Sequence, residues 1–112
     1  MDRTLSYLDK LSEITRRILS VSDPQCIILF GSYARGDFDA DSDLDLMVVL
    51  ENAEMPRAES IRLRRALRGV LVPVDILVSS PQQLERHRNT PGLIYREALA
   101  EGKVIYERPT AA

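Results

Sequence analysis

The apolar residues of this chain recur at two different spacings, and each spacing predicts a different kind of element. Steps of three and four predict an amphipathic helix from about Asp2 to Ser20. Its apolar face carries Leu5, Leu8, Leu11, Ile14 and Ile18. Short apolar runs predict three buried strands, at Cys26–Phe30, Asp43–Leu50 and Val72–Val78.

The second half of the chain predicts three further helices and one more strand. An arginine-rich segment predicts a helix from about Arg57 to Arg68. Ser80-Pro81-Gln82-Gln83 combines an N-cap, a proline at the first helical position and a capping-box glutamine. Thr90-Pro91 predicts that another helix opens in the same way, and Gly102 is placed to end it. Lys103–Tyr106 predicts a last short strand, followed by a frayed tail.

These elements predict an α/β fold in which flanking helices cover a small mixed sheet of three to four strands. At 112 residues the chain is expected to form one domain, residues 1–112. If the polar turn after the first strand and the acids that open the second belong to one site, those strands run antiparallel. The second and third strands then run parallel, joined by a right-handed crossover through the intervening helix. The topology is inferred from the site and gives it no independent support.

Acidic residues interrupt the second and third predicted strands at their beginnings. Asp43 and Asp45 stand two residues apart, so their side chains point to the same face of the strand. Two unpaired carboxylates there repel each other, and a divalent cation removes that cost. Mg²⁺ suits the pair because it prefers oxygen ligands and binds substrate phosphates. Asp75 either completes the metal site or is an edge-strand acid that meets solvent or an arginine.

The polar connector at residues 31–42 carries groups that bind phosphate. Gly31 allows a close backbone approach, Ser32 offers a hydroxyl and an amide, and Arg35 offers a planar fork. The connector is not a P-loop, because Asp37-Phe38 replaces the required Lys-Ser/Thr. It is not an EF-hand, because Ser42 stands where the calcium loop needs glycine. The loop acids at 37, 39 and 41 are therefore interpreted as solvated.

The composition narrows the class of protein. With 45% hydrophobic and 29% charged residues the chain is ordinary for a globular domain, and its net charge of −2 provides no basic field. Direct nucleic-acid binding is therefore not expected. No apolar run is long enough to span a bilayer and no signal peptide fits the N-terminus, so a cytoplasmic protein is predicted. Cys26, the single cysteine, is interpreted as a small core residue in a reducing compartment.

Gly31-Ser32, ten intervening residues and Asp43-Leu44-Asp45 together resemble the signature of the minimal nucleotidyltransferases. These are the smallest members of the DNA polymerase β-like nucleotidyltransferase superfamily. Asp75, within Val-Asp-Ile, matches the third carboxylate of that family. The resemblance implies a palm-like nucleotidyltransferase fold, ATP as substrate and two Mg²⁺ ions. It assigns catalysis and metal binding to Asp43, Asp45 and Asp75, and nucleotide binding to Gly31, Ser32 and Arg35.

The resemblance also implies a partner. Many minimal nucleotidyltransferases are paired with a helical HEPN ribonuclease toxin and act as antitoxins by adding AMP to a tyrosine of that toxin. A hetero-oligomer that transfers AMP from ATP to such a tyrosine is the expected function. Two alternatives stay open: transfer to a small molecule or an RNA end with a helical partner subunit, and a catalytically idle module that neutralises a toxin by contact.

Other polar and aromatic residues have weaker interpretations. The arginines of the second predicted helix form either a solvated face or a surface for an acidic partner or nucleic acid: Arg57, Arg62, Arg64, Arg65 and Arg68. His87 is interpreted as a surface residue. Tyr33, Tyr95 and Tyr106 are interpreted as packing residues, with Tyr33 alternatively stacking on a nucleotide base.

Overall fold

A computed structural model describes residues 3–51 and 55–109 of the chain. Five helices and four strands follow one another within these residues. They are α1 Arg3–Val21, β1 Cys26–Phe30, α2 Ser32–Arg35, β2 Leu44–Val49, α3 Pro56–Ala66, β3 Val74–Ser79, α4 Pro81–His87, α5 Ile94–Glu101 and β4 Lys103–Glu107. The predicted helix start at Asp2 and the last three residues of the predicted tail lie outside the described residues.

The four strands form one mixed sheet in the order β3-β2-β1-β4. β1 is antiparallel to both β2 and β4, whereas β2 and β3 are parallel. The predicted mixed sheet is confirmed, together with both predicted strand directions. The register places Asp45 of β2 opposite Phe30 on one side and opposite Asp75 on the other.

Two layers of side chains cover the sheet, one on each face. Leu44, Leu46 and Val48 of β2 pack in the larger core with α1 and α3, while Met47 and Val49 pack in a smaller core with α5. These residues are at most 1% exposed. Burial on both faces explains why β2 is an almost continuous apolar run. The burial of each such side chain stabilises the folded state by about 1.5–3 kcal/mol.

The helix α1 packs one stripe of its surface on the larger core. Ile14 and Ile18 are fully buried, and Leu11 is nearly so. Leu8 is 45% exposed, so the buried stripe is narrower than the predicted apolar face. Leu5 lies outside the described side chains. None of the described helices is both long and apolar enough to cross a membrane.

Several elements differ from the prediction for local reasons. The connector contains the short helix α2, which ends where Gly36 takes a φ of 88°. β2 begins after Asp43 rather than at it. β3 begins at Val74 because Pro73 has no N–H to donate, although its carbonyl accepts a hydrogen bond from Leu44. α5 begins at Ile94 rather than after Thr90-Pro91, since a turn with Gly92 at a φ of 83° intervenes.

Gly102 ends α5, as predicted, but through a different property of glycine. Its φ of −74° is not left-handed, so the glycine does not form an αL C-cap there. A Cβ at this position would lie 2.1 Å from the carbonyl oxygen of Ala98 and 2.7 Å from Cγ2 of Ile28. Gly102 therefore lets the end of α5 approach β1 closely, which holds the helix beside the sheet.

Candidate active site

The strands bring the three predicted acids to one end of the sheet. Asp43 immediately precedes β2, Asp45 is its second residue, and Asp75 is the second residue of β3. Because β2 and β3 are parallel and in register, Asp45 and Asp75 are direct neighbours across the strands. Asp45 and Asp75 therefore lie side by side on two strands whose other residues are mostly buried and hydrophobic.

Asp45 is half-buried, and its surroundings are predominantly negative. Burial raises the pKa of the Asp45 carboxyl, and the charges of Asp75, Asp43 and Glu97 raise it further. Only Arg35 acts in the opposite direction among the causes of this shift. The site thus concentrates negative charge around one carboxylate, which a bound cation would stabilise.

Gly31 is shaped by its contact with Asp45. Its backbone lies at a φ of 76° and a ψ of −156°, a region that is accessible almost only to glycine. A Cβ on Gly31 would lie 2.2 Å from Oδ2 of Asp45, well inside van der Waals contact. The glycine predicted for close approach to a phosphate is therefore already required by the acid beside it.

These residues line an open cleft of about 570 Å³. Five of the predicted site residues contribute to its walls: Gly31, Ser32, Arg35, Asp45 and Asp75. The other lining residues are Phe30, Ile76, Leu77, Ile94 and Glu97. Asp43 is exposed at the start of β2 and does not line the cleft. A second groove of about 610 Å³ between α1 and β4 has no acidic lining residue and offers none of this chemistry.

Arg35 reaches three carboxylates. Its Nε donates to Oδ2 of Asp37 at 3.3 Å, its Nη1 donates to Oε1 of Glu97 at 3.0 Å, and Oε2 of Glu101 lies 3.6 Å away. The interpretation of Asp37 as a solvated loop acid is therefore incomplete. The sequence reasoning missed Glu97 and Glu101. Their spacing of four places both on one face of α5, which was the available signal.

Asp75 is held by an arginine from α3, the helix that precedes β3. Nη2 of Arg64 donates to Oδ1 of Asp75 at 3.1 Å, and both side chains are more than half exposed. β3 is also an edge strand. The alternative interpretation of Asp75, an edge-strand acid that meets an arginine, thus describes its contact. Its place in the cleft beside Asp45 keeps the catalytic interpretation open as well.

The donor chemistry at this end of the sheet fits a magnesium ion. Within residues 3–51 and 55–109, no three carboxylate, imidazole or thiol groups stand close enough together to hold one ion as placed. Carboxylate oxygens are nevertheless the ligands that Mg²⁺ prefers. The raised pKa of Asp45, caused by burial and then by Asp75 and Asp43, marks where a cation would offset repulsion. The assignment of metal ligands to Asp43, Asp45 and Asp75 stays a prediction.

The aromatic residues near the site serve packing. Tyr33 is 8% exposed and stacks on Phe38, with ring centroids 4.2 Å apart and an angle of 11° between the rings. The packing role is confirmed, and a nucleotide base has no free face of Tyr33 to reach. His87 is half-buried rather than a plain surface residue and stacks on Tyr95 with centroids 5.6 Å apart.

The helix α3 places its arginines in several different environments. Arg62 donates to the carbonyl of Val21 at 2.6 Å and to Glu59 at 2.8 Å, while Arg64 reaches Asp75. The remaining predicted members are exposed: Arg57, Arg65 and Arg68. The interpretation as one solvated face is incomplete for Arg64, because this exposed arginine also pairs with Asp75.

Comparison with known sequences agrees with this geometry. The family described as "Polymerase beta, Nucleotidyltransferase" matches residues 10–111. Two proteins of Methanocaldococcus jannaschii, both named "Putative protein adenylyltransferase", are similar to the chain. MJ0141 is 41% identical over 54 residues, which are 47% of this chain and 52% of that protein. MJ0604 is 32% identical over 80 residues, which are 71% of this chain and 76% of that protein. The match thus spans about half the length of the first relative.

Solved structures share the fold. A "putative nucleotidyltransferase" of Sulfolobus solfataricus has a TM-score of 0.66 at 23% identity. The match covers 93% of this chain and 83% of the Sulfolobus chain. A "putative minimal nucleotidyltransferase" has a TM-score of 0.59 at 28% identity, and the match covers 92% of this chain and 95% of that protein's chain. A toxin-antitoxin structure with AMP-PNP contains a chain with a TM-score of 0.50 at 24% identity, covering 88% and 72%.

Proposed function

The chain belongs to the polymerase beta nucleotidyltransferase family, and from that premise we propose that it transfers AMP from ATP to a hydroxyl group on a partner protein. One observation carries the proposal. Asp45 lies beside Asp75 across two parallel strands, in the same cleft as the Gly31-Ser32 turn and Arg35. Acids and phosphate-binding groups in one cleft are what phosphoryl-group chemistry requires.

In the proposed reaction, the acceptor oxygen forms a bond to the α-phosphorus and the bond to the β-phosphate oxygen breaks. Pyrophosphate leaves with that electron pair, and Ser32 and Arg35 hold its oxygens. Asp75 accepts the proton of the acceptor hydroxyl at a carboxylate oxygen, since it is an exposed acid of the cleft beside Asp45.

Asp43, Asp45 and Asp75 would hold two Mg²⁺ ions. When bound, such ions neutralise phosphate charge and favour ionisation of the attacking hydroxyl. Asp45 is suited to this role because the Gly31 backbone fixes its position. Asp75 takes part once its ion pair with Arg64 opens.

The nucleotide and the partner are supported by the relatives. The toxin-antitoxin structure carries AMP-PNP, which supports ATP as the donor. The Methanocaldococcus proteins are named as adenylyltransferases that act on protein, which supports a protein acceptor. We propose a tyrosine of a HEPN ribonuclease toxin as that acceptor, in a hetero-oligomer. A phenol, with a pKa near 10, ionises more readily than an aliphatic hydroxyl.

Attachment of AMP would inhibit such a toxin through charge and bulk. A phosphodiester beside an RNA-binding surface repels the phosphates of the RNA, as other added phosphates do. Inhibition would then persist after the two proteins separate. An antitoxin that acts by contact alone releases an active toxin on dissociation.

Co-expression with the product of the neighbouring gene tests the proposal. The two proteins are separated under denaturing conditions and the partner is weighed by mass spectrometry. We expect a mass increase of one or more AMP groups, and no increase when the chain carries Asp45→Asn. An unmodified partner in the presence of the wild-type chain would contradict the proposal.

A second candidate is a module that neutralises a toxin by contact without catalysis. The observation that favours it is the ion pair between Arg64 and Asp75, because an acid bound to an arginine has to be released before it can bind a metal. The same experiment separates the two candidates. A neutralised but unmodified partner would favour the contact module.

A further inference from the structure

Glu97 is the acid of the cleft to which neither the sequence signature nor the proposed reaction gives a role. It lies on α5 and lines the cleft together with Arg35, Asp45 and Asp75. Its Oε1 accepts a hydrogen bond from Nη1 of Arg35 at 3.0 Å. The helix α5 thus places a carboxylate in contact with Arg35, the arginine that is proposed to bind phosphate.

A guanidinium fork binds carboxylates and phosphates in the same way, through paired N–H donors. A triphosphate that reaches Arg35 therefore competes with Glu97 for the same donors. The pair is easily exchanged, because 37% of the Arg35 side chain and 43% of the Glu97 side chain are exposed and water screens their attraction.

The competition extends to the charge of the whole cleft. Glu97 is close enough to Asp45 for its charge to act on that carboxylate, while Arg35 opposes this effect. Once phosphate occupies Arg35, the Glu97 carboxylate stands unpaired beside the acids and the polyphosphate. Glu97 therefore disfavours bound polyphosphate in two ways, by holding Arg35 and by repulsion.

We propose that Glu97 is a positioning residue that competes with the polyphosphate of the nucleotide for Arg35 and so promotes release of pyrophosphate. The inference rests on the proposed nucleotidyl transfer. Glu97 acts through Arg35 and touches no reacting atom. A ligand that does not reach Arg35, such as AMP with its single phosphate at the acids, is affected only by the repulsion.

Titration calorimetry of Glu97→Gln tests this proposal with Mg²⁺ and three probes: ATP, inorganic pyrophosphate and AMP. We expect ATP and pyrophosphate to bind about two- to fivefold more tightly than to the wild type, the range for one exposed ion pair. AMP affinity should rise by clearly less, because AMP gains only from the removal of the repulsion. Glu85→Gln on α4 is the matched control, because it removes the same charge from an acid that pairs with Arg88. In an Arg35→Ala background, the effect of Glu97→Gln should shrink to that of plain charge removal.

The outcomes separate the inference from the proposed function. Unchanged or weaker ATP binding by Glu97→Gln, or an equal gain for AMP, overturns the role of Glu97 while AMP transfer by the wild type still stands. Failure of the wild type to bind ATP overturns both. A thermal melt of Glu97→Gln that matches the wild type shows that the variant is folded. If pyrophosphate inhibits Glu97→Gln more strongly than it inhibits the wild type, the role of Glu97 in pyrophosphate release is supported.

Discussion

Asp45 is a carboxylate placed where a hydrophobic strand meets the cleft, and its environment disfavours its charge. Burial and then the acids Asp75, Asp43 and Glu97 raise its pKa. Between its ordinary and its raised pKa, the folded chain binds more protons at Asp45 than the unfolded chain does. The free energy of unfolding therefore falls as the pH rises through that window.

Asp45→Asn removes this cost, so the metal-free variant should be more stable than the wild type at neutral pH. The gain should stay below about 1 kcal/mol, because Asp45 is only half-buried and water screens the repulsion. Urea unfolding in the presence of a chelator should show this gain at neutral pH and its disappearance below the ordinary pKa of aspartate. Magnesium-dependent ATP binding should fall by at least about tenfold.

Asp41→Asn is the matched control, since Asp41 is an exposed loop acid outside the cleft. It should change neither the pH profile nor ATP binding. A wild-type level of magnesium-dependent ATP binding in Asp45→Asn would remove Asp45 from the proposed site.

Gly31 and Gly36 have the same kind of backbone requirement but different surroundings. Both have positive φ, at 76° and 88°, yet only at Gly31 would a Cβ meet the Asp45 carboxylate. Gly31→Ala should cost about 1–3 kcal/mol of stability and displace Asp45, so ATP binding should be lost. Gly36→Ala should cost about 1 kcal/mol and leave ATP binding intact. Equal ATP affinity in the two variants would show that Gly31 serves the fold alone.

At the scale of elements, the helix α3 delivers an arginine to the strand that follows it. Arg64 holds Asp75 at 3.1 Å in an exposed ion pair, which contributes little to stability. Arg64→Ala should therefore leave the melting temperature almost unchanged and strengthen Mg²⁺ binding about two- to fivefold, because Asp75 no longer has a competing cation. Calorimetric titration with Mg²⁺ measures this, with Arg65→Ala on the same helix as control. Weaker Mg²⁺ binding would show that Arg64 orients Asp75 for the metal.

Elements specified by local interactions were predictable from sequence. β1 has its predicted bounds, and α4 begins after Ser80, whose hydroxyl accepts a hydrogen bond from the amide of Gln83. The start of α5 was not predicted, because Pro91 permits a helix start but the chain turns through Gly92 at a φ of 83° before the helix begins at Ile94. The short helix α2, which lies between Gly31 and Gly36, was also not predicted from the sequence.

At the scale of the whole molecule, the divide falls between contacts within a motif and contacts across the chain. The signature around Gly31, Asp43 and Asp45 lies within one short segment, so its type and spacing are visible in the sequence. Glu97, one partner of Arg35, is 62 residues away from it, and no periodicity specifies that α5 meets this arginine. The α5 side of the cleft is therefore specified by tertiary packing, whereas the motif with Gly31 and Asp45 is visible in the local sequence.

The strand order also has a consequence for the nascent chain. A ribosome releases β1, β2 and β3 first, so Asp45 and Asp75 can stand side by side while α5 is still being made. β1 nevertheless keeps one edge unpaired until β4 has emerged. During that interval, Asp45 and Asp75 are present without α5, the helix that carries Glu97. The unpaired backbone groups of the hydrophobic strand β1 are then accessible to a neighbouring chain. The synthesis of residues 80–107 therefore closes the strand edge and completes the cleft in one step.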